Sequence, residues 1–360
     1  MAHASPALAA ARLPATVLVY RPGALGDFLL AFPALTVLRA AYPAAHLTVI
    51  GPGPALPLAA ASGLADTILA ADDPRLTALF AGTPPAELPA GLPRPELAIL
   101  WAGTSAAPLA AALRAWGATV VQAPGRPPAD CRQHAAAYLC AALAPLGLPV
   151  APVPVARVRP TTGAAAAAAA FLAARGSLDA PWVALHVGSG SPRKNWPLDH
   201  WRRLAVALHA TGARLLLLAG PAEATLVPAM LVALAPLRPV LVQDWPLDAL
   251  AALLARCVGY CGADSGVTHL AAAVGTPVVA LFGPTDPAVW APRGPHVAVV
   301  RQPRPCPREP GALLAACPAC DCLAALAPEA VLRAAHALGG PFGRLAAAAL
   351  AARTTGRGPV

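Results

Sequence analysis

The sequence predicts an α/β protein with two domains, each built around a parallel sheet. Three observations predict this architecture. Short apolar runs of strand length alternate with helical segments along the chain. Glycine and polar residues follow several of the predicted strands. A proline-rich stretch near the middle separates two such series, so it is the best candidate for a linker.

The linker divides the chain into five predicted segments. These are a flexible N-terminal segment (1–15), a first domain (16–150), the linker (151–162), a second domain (163–335) and a C-terminal helix or tail (336–360). The tail begins with Gly-Gly-Pro and continues as an alanine-rich helix. Two alternatives stay open for it, since it can pack back on the first domain or stay loose.

The first domain opens with a predicted βαβ unit. Residues 16–20 are β-branched and aromatic, which is typical of a strand. Residues 28–41 repeat apolar side chains on one helical face, and residues 47–50 form the next strand. Such units connect right-handedly into parallel sheets. Further elements predicted for this domain are strands at 97–101 and 119–121 and helices at 106–116 and 131–146.

The second domain repeats the alternation more regularly. The predicted strands are 182–187, 214–219, 239–242, 260–263 and 278–282, and the predicted helices are 164–175, 198–210 and 247–255. Ligands of open α/β sheets bind beyond the carboxyl ends of the strands. We therefore look for functional residues immediately after these strands and after the first strand of the other domain.

Composition and charge exclude some classes of protein. Hydrophobic residues make up 57% of the chain, yet no apolar run reaches the roughly 18 residues of a membrane span. Residues 1–14 lack a basic region before an apolar core, so we expect no signal peptide and a cytoplasmic protein. The net charge of +9 fits an anionic partner: a membrane surface, an acidic substrate or nucleic acid. Nucleic acid is the least favoured because the basic residues are scattered.

The cysteines suggest a weak metal candidate. Four of the eight cysteines cluster near the C-terminal end, at Cys306, Cys317, Cys320 and Cys322. This spacing can bind zinc or pair as disulfides, although disulfides are disfavoured in a cytosolic chain. A reduced structural loop without a ligand is the third alternative.

Two charged residues follow predicted strands in the two halves. Asp27 ends the stretch Arg21–Asp27 after the first strand and stands at a helix start, where a carboxylate is also an ordinary stabilising charge. Lys194 is the only lysine among 26 basic residues and follows Gly188-Ser-Gly-Ser191. Small residues before a lysine suggest a phosphate cradle, though the spacing is not that of a P-loop. A solvated surface charge is the alternative for Lys194.

The stretch Gly262–Leu270 is the third candidate. It predicts a polar turn that opens a small-residue helix, with Asp264 or Ser265 as the cap. A helix start beside glycine is suited to a phosphate. A capped helix has no need of His269, so this histidine is either a site residue or a packed core residue. Glu223 also follows a strand, where it can accept hydrogen bonds from a ribose.

Taken in order, these motifs resemble glycosyltransferase family 9, typified by ADP-heptose:lipopolysaccharide heptosyltransferases. The resemblance runs from about residue 16 to about residue 335. Its motifs are Arg21-Pro-Gly-Ala-Leu-Gly-Asp27, His186-x-Gly-Ser-Gly190, Lys194-Asn-Trp-Pro197, Gly220-Pro-Ala-Glu223, Asp264-Ser-Gly-x-x-His-Leu-Ala271, Leu281-Phe-Gly-Pro-Thr285 and Trp290-x-Pro292. Family members often carry two hydroxyl residues just before the Leu/Met-Gly-Asp triplet. Gly23 and Ala24 stand there in this chain, which leaves the acceptor contacts open and does not affect the base.

The resemblance implies a GT-B fold, in which two Rossmann-like domains face each other across a cleft. It implies an inverting, metal-independent transferase with no cofactor, using a nucleotide-sugar donor such as ADP-heptose. The acceptor would be an anionic, lipid-linked saccharide of the lipopolysaccharide core. The first domain would bind this acceptor at the inner membrane face, and the second would bind the donor. A transferase using another donor or a protein acceptor, and a non-catalytic relative that only binds nucleotide-sugar, are the alternatives.

The resemblance also assigns roles to residues. Asp27 matches the general base, on an acceptor-side loop that includes Gly23 and Gly26. Lys194 and Ser189 match groups on the diphosphate, and Ser265 and Gly266 would add backbone donors there. Glu223 resembles the acid on the nucleotide side. Asp264 resembles the residue that holds the donor sugar, and His269 would orient Asp264 or a phosphate. Contacts to an anionic acceptor are open for Arg39, Arg114, Arg126 and Arg132.

Overall fold

The computed structural model describes residues 13–80, 92–301 and 322–354. Within these ranges the chain forms two sheets in which every strand pair is parallel. Parallel strands need helical crossovers, which cover both faces of a sheet and bury its strands. The predicted fold class, two α/β domains of this kind, is confirmed.

The first sheet has the strand order β3-β2-β1-β4-β5. Its strands are β1 (Thr16–Tyr20), β2 (His46–Gly51), β3 (Thr67–Ala70), β4 (Leu97–Trp101) and β5 (Thr119–Ala123). Its helices are α1 (Leu25–Leu29), α2 (Phe32–Ala41), α3 (Leu56–Ala61), α4 (Thr77–Phe80), α5 (Ala107–Ala115) and α6 (Ala135–Ala141). The central strand β1 pairs with β2 and β4, so the loop after β1 lies at the middle of the sheet edge.

The second sheet has the strand order β11-β10-β9-β6-β7-β8. Its strands are β6 (Trp182–His186), β7 (Arg214–Ala219), β8 (Val240–Gln243), β9 (Gly259–Ala263), β10 (Val278–Phe282) and β11 (Val297–Arg301). The helices are α7 (Thr162–Ala173), α8 (Leu198–His209), α9 (Val227–Leu234), α10 (Leu247–Leu254), α11 (Gly266–Ala273), α12 (Pro287–Trp290), α13 (Pro328–Ala337) and α14 (Gly340–Thr354). Strands β6 and β9 are neighbours, which brings the loops that follow them together.

Two predicted helices of the first domain are wrong in extent. The single helix predicted at 28–41 is divided into α1 and α2, because Pro33 has no N–H to donate to the preceding turn. The helix predicted at 131–146 begins only at Ala135. His134 is its cap, accepting through Nδ1 a hydrogen bond from the Ala136 N–H at 3.1 Å. Cys131 therefore lies in the preceding loop.

The two domains share one apolar core. A continuous cluster of buried side chains includes Phe28, Leu29 and Phe32 from the first domain and Leu270 and Ala273 from the second. Helices α1 and α11 pack against each other across this boundary. The linker region forms a backbone hydrogen bond to the second domain at this boundary, in which the Val158 N–H donates to the Ala273 carbonyl at 2.9 Å. The carboxyl ends of β1 and β9 thereby face one cleft.

The C-terminal helix packs on the second domain. Helix α14 contacts α8 and α13, and Phe342 is fully buried. A Cβ at Gly259 would lie 2.3 Å from the Phe342 ring, so the missing side chain makes room for this ring. The two alternatives left open for the tail are therefore both wrong for residues 340–353. In the described part of the chain, no helix has both the length and the apolar character needed to cross a membrane.

Candidate active site

A cavity of 470 Å³ lies between the two domains. Both domains contribute charged side chains to it, so groups far apart in sequence face the same space. Its lining residues are Ala24, Gly26, Asp27, Leu30 and Arg126 from the first domain, and Gly190, Ser191, Lys194, Asp264, Ser265, Gly266, His269, Thr285 and Trp290 from the second. Seven residues that the sequence predicted for the site therefore lie around one cavity: Gly26, Asp27, Lys194, Asp264, Ser265, Gly266 and His269.

Asp27 lies in the first turn of α1, directly after the central strand of its sheet. Its side chain is 8% exposed and accepts two hydrogen bonds from Arg126, with Nε at 3.1 Å from Oδ1 and Nη2 on Oδ2. Arg21 Nη2 lies 3.8 Å from Oδ1. Burial lowers the pKa of Arg21, whereas the hydrogen bond to Asp27 raises the pKa of Arg126. Two guanidinium groups therefore face the carboxylate that the sequence singled out.

A second cavity adjoins Asp27 within the first domain. It has a volume of 1280 Å³ and is bounded by Arg21, Gly23, Arg114, Arg126 and Asp27 among others. Three arginines around one cavity give it a positive lining that suits an anionic ligand. The Asp27 carboxylate belongs to both cavities, so a group bound in either one can reach it.

Asp264 does not cap α11. Ser265 is the cap, with Oγ accepting from the Thr268 N–H at 3.4 Å. The Asp264 carboxylate instead accepts from Lys194 Nζ at 2.7 Å and from Thr285 Oγ1 at 2.6 Å. Thr285 follows β10, as Asp264 follows β9, and the two strands are neighbours. Lys194 thus reaches the cleft from the loop after β6 and is held there by a carboxylate.

Ser189 and Glu223 are buried and are not among the residues that line the cavity. Ser189 Oγ lies 2.7 Å from the Ser191 carbonyl and 2.9 Å from Asn195 Oδ1, so it braces its own loop. Glu223 is 3% exposed and accepts from the Gly220 N–H at 2.9 Å. Both side chains face protein groups in this structure, and their direct contact to a nucleotide stays a prediction.

Glu223 is connected to the start of α11 through His186. His186 Nε2 lies 3.6 Å from Glu223 Oε2, and His186 Nδ1 lies 3.3 Å from Ser265 Oγ. Burial raises the pKa of Glu223, but the bonds from His186 and from backbone N–H groups outweigh it, so the pKa is lowered. A buried carboxylate therefore orients the imidazole that contacts the capping serine.

His269 lies on α11 at the cleft, with its side chain 8% exposed. Burial lowers its pKa to about 4, although the charges of Asp264 and Asp27 act in the opposite direction. His134 lies close to it, and burial lowers the pKa of this residue too. His134 Nδ1 accepts a hydrogen bond, so Nε2 carries the proton and donates to the Ala291 carbonyl at 2.8 Å. The two imidazoles are neutral at pH 7, and the His134 hydrogen bond to Ala291 links the domains.

This burial predicts a loss of stability in acid. As the pH falls below 6.5, the ordinary pKa of histidine, His269 becomes protonated in the unfolded chain. In the folded protein it stays neutral until about pH 4, so protonation favours the unfolded state over this window. The free energy of unfolding should fall by about 3 kcal/mol over that window from this group. Melting temperatures measured from pH 7 to pH 4.5 should decline less steeply in His269→Gln than in the wild type. The exposed His209→Gln variant is the control, and equal slopes in all three proteins would contradict the prediction.

The four arginines considered for the acceptor have different surroundings. Arg114 and Arg126 line the larger cavity. Arg39 lies elsewhere, bonded to Asp66 at 2.6 Å, and Arg132 lies 3.5 Å from Asp286 of the second domain. Sequence reasoning missed the contact of Arg21 with Asp27 and that of Thr285 with Asp264. Arg21 and Thr285 belong to motifs that follow strands, and this position is the sequence signal that could have identified them as site residues.

Of the four clustered cysteines, Cys322 lies within the described residues. Cys306, Cys317 and Cys320 lie outside the described residues, so the zinc, disulfide and reduced-loop alternatives stay open. Across residues 13–80, 92–301 and 322–354, no three His, Cys, Asp or Glu side chains group together in a way that could hold a metal ion.

Comparison with solved structures gives the class of fold. The chain superposes on a family 9 glycosyltransferase from Veillonella parvula with a TM-score of 0.74 and 20% identity, covering 90% of this chain and 96% of that one. It superposes on the E. coli heptosyltransferase WaaC with ADP at a TM-score of 0.63 and 19% identity, covering 90% and 100%. These likenesses place both domains in the GT-B fold class.

Sequence comparison gives the family. The model of glycosyltransferase family 9 (heptosyltransferase) matches residues 117–312. Because this match spans more than half of the chain, the chain belongs to glycosyltransferase family 9, as its motifs predicted. Lipopolysaccharide heptosyltransferase 1 of Escherichia coli K12 is 32% identical over 112 residues, which are 31% of this chain and 34% of that protein. The chain thus matches about a third of the length of its curated relatives.

Proposed function

We propose that this protein is an inverting glycosyltransferase that moves a sugar from a nucleotide-sugar to a saccharide acceptor. The observation that carries the proposal is the cavity shared by Asp27 of one domain and Lys194, Asp264 and the α11 start of the other. A carboxylate opposite a cation and a helix N-terminus supplies both a base for the acceptor and a charge for the leaving group.

The donor occupies the second-domain side of the cleft in this proposal. Lys194 and the first N–H groups of α11 neutralise the diphosphate, where the helix dipole also favours negative charge. Asp264 hydrogen-bonds the sugar hydroxyls while it keeps Lys194 and Thr285 in position. Ser265 contacts the phosphates, oriented through His186 by the buried Glu223. His269 stays neutral and closes the floor beside Asp264.

The acceptor enters through the larger cavity of the first domain. Its hydroxyl donates to Asp27, which takes the proton as the hydroxyl oxygen attacks the anomeric carbon. The new carbon–oxygen bond forms while the bond to the phosphate oxygen breaks, and the nucleoside diphosphate leaves with that electron pair. Attack opposite the leaving group inverts the anomeric carbon. Arg114 and Arg126 attract anionic groups of the acceptor, and Arg126, whose side chain is 66% exposed, has room to turn toward them.

Heptose from ADP-heptose is the donor we propose, and a lipopolysaccharide core saccharide is the acceptor. The support is the family itself, relatives named for lipopolysaccharide heptose transfer, and a heptosyltransferase of the same fold that was solved with ADP. We also propose a cytoplasmic enzyme that works at the inner membrane surface, where anionic lipids attract its net charge of +9. Salt-sensitive binding to anionic vesicles tests that location.

A donor screen tests the proposed function. Purified protein should bind ADP-heptose more tightly than UDP-, GDP- and TDP-sugars by calorimetry. With a heptose-free core acceptor it should release ADP and form a product of inverted anomeric configuration. Tighter binding of a different nucleotide-sugar would contradict ADP-heptose as the donor. Binding of donor with no release of nucleotide in the presence of acceptors would indicate a non-catalytic relative.

A further inference from the structure

Two glycines, one from each domain, meet at the floor of the cleft. Gly26 lies in α1 beside Asp27, and Gly266 is the first residue of α11, beside Ser265. A Cβ built on Gly266 would lie 2.8 Å from the Leu25 Cβ and 2.9 Å from the Gly26 backbone nitrogen. Cβ contacts under 3.0 Å are essentially absent from real structures, and a backbone nitrogen cannot turn aside as a side chain can. The domains therefore touch through a surface with no space for a methyl group.

The steric need for glycine at position 266 comes from this contact. The Gly266 backbone does not lie in the left-handed region that favours glycine. It stands in a helix, where alanine is the better residue. The atoms that a Cβ would overlap all belong to the first domain.

We propose that Gly266 is a positioning residue that sets how closely the two domains approach, and thereby the distance between Asp27 and the donor groups. This inference rests on the proposed function for its catalytic consequence. Asp27 follows Gly26 directly, and Asp264 and Ser265 precede Gly266 directly, so a wedge at this contact moves the base away from the donor. Restoring an ordinary carbon contact requires a separation of about 1 Å. A misplacement of about 1 Å is enough to lower a rate about 100-fold.

The variant Gly266→Ala tests whether a side chain at this contact separates the domains. Two further glycine-to-alanine changes serve as comparisons. A Cβ at Gly26 would lie 3.4 Å from the Gly266 Cα and 3.5 Å from His269 Cδ2, which are ordinary contacts. Gly163 is exposed in α7 and has nothing within 4 Å of its added Cβ. Gly266→Ala should lower the transfer rate constant about 100-fold and leave ADP affinity within about threefold. Gly26→Ala should lose much less, and Gly163→Ala should behave as the wild type.

Crystal structures of the wild type and Gly266→Ala, both with ADP, provide a readout that does not depend on activity. The Cα separation between positions 26 and 266 should be about 1 Å larger in the variant. An unchanged separation, or a larger one with normal transfer, would overturn the proposal. If the wild type transfers no sugar, the proposed function fails while the separation still tests the contact. If Gly266→Ala does not fold, Gly26→Leu is the second variant, because it adds three carbons beyond a Cβ that already lies 3.4 Å from the Gly266 Cα. It must then separate the domains and lower transfer with ADP binding kept.

Discussion

Replacing Asp27 with asparagine should lower sugar transfer by about 10² to 10⁴-fold, the usual contribution of a general base. The amide has nearly the shape of the carboxylate but cannot take the acceptor proton. The donor groups belong to the other domain, so ADP affinity should stay within about twofold of the wild type. Steady-state transfer assays and calorimetry on the same preparation measure both quantities. Near-normal transfer in Asp27→Asn would remove Asp27 as the base.

The asparagine variant also changes stability, and the assay has to allow for this. Arg21 is 4% exposed and would lose the carboxylate at 3.8 Å, keeping its bond to the Pro22 carbonyl. Breaking a buried ion pair costs about 3 kcal/mol, so the melting temperature should fall. Transfer is therefore compared well below the melting temperature. Asp72→Asn removes an exposed carboxylate from the same domain and should leave both transfer and stability near those of the wild type.

Replacing Lys194 with alanine should weaken ADP binding by about 10- to 100-fold. Hydrogen bonds to charged groups contribute about 1.5–3 kcal/mol, and each 1.4 kcal/mol corresponds to a factor of ten. Lys194 is the cation that the second domain directs into the cleft between Asp264 and the α11 start. Calorimetric titration with ADP measures the change. Transfer should fall further than binding, because the charge on the diphosphate grows as the sugar departs.

The neighbouring arginine makes a matched control for Lys194. Arg193 lies in the same short helical turn, but it is not among the residues that line the cleft cavity. Arg193→Ala should therefore keep ADP affinity within about threefold, while Lys194→Arg, which keeps the charge, should recover part of it. Equal affinities for ADP in Lys194→Ala and the wild type would place the diphosphate elsewhere.

The sequence was sufficient to predict the fold class because each central strand is a short apolar run followed by a turn. Burial on both faces of a parallel sheet requires such runs. Helix extents in the first domain were harder to predict. Propensity alone cannot show that Pro33 divides one helix from the next, or that His134 serves as a cap. The packing position of α14 was also not predictable from the sequence, since it depends on the Phe342 ring, which fills the space next to Gly259.

The candidate site was predictable to the extent that it follows strand ends. Asp27, Lys194, Asp264, Ser265 and His269 all reach one cavity because their strands end at facing sheet edges. Side-chain direction within a loop was not predictable. Ser189 turns toward Asn195 and Glu223 toward His186, since those partners satisfy them locally.

Contacts between residues far apart in the chain cannot be predicted from local sequence patterns. Arg126 bonds Asp27 across 99 residues of chain, and Gly266 meets Gly26 from the other domain. The first contact depends on how the loops after β1 and β5 meet within one domain. The second depends on how the two domains approach each other, and no periodicity encodes either. A glycine at a helix start looked like a phosphate contact, and only the space around it shows a second reason for glycine there.

The most direct test of the central claim is the crystal structure of the protein with an unreactive ADP-sugar. The claim is that one sugar ring lies between the base of the first domain and the donor groups of the second. The diphosphate should contact Lys194 and the first N–H groups of α11. The anomeric carbon should lie roughly 4–6 Å from the Asp27 carboxylate, which leaves room for one acceptor hydroxyl in hydrogen-bond reach of the base. A diphosphate bound away from Lys194, or an anomeric carbon about 10 Å or more from Asp27 with the domains in contact at Gly26 and Gly266, would contradict it.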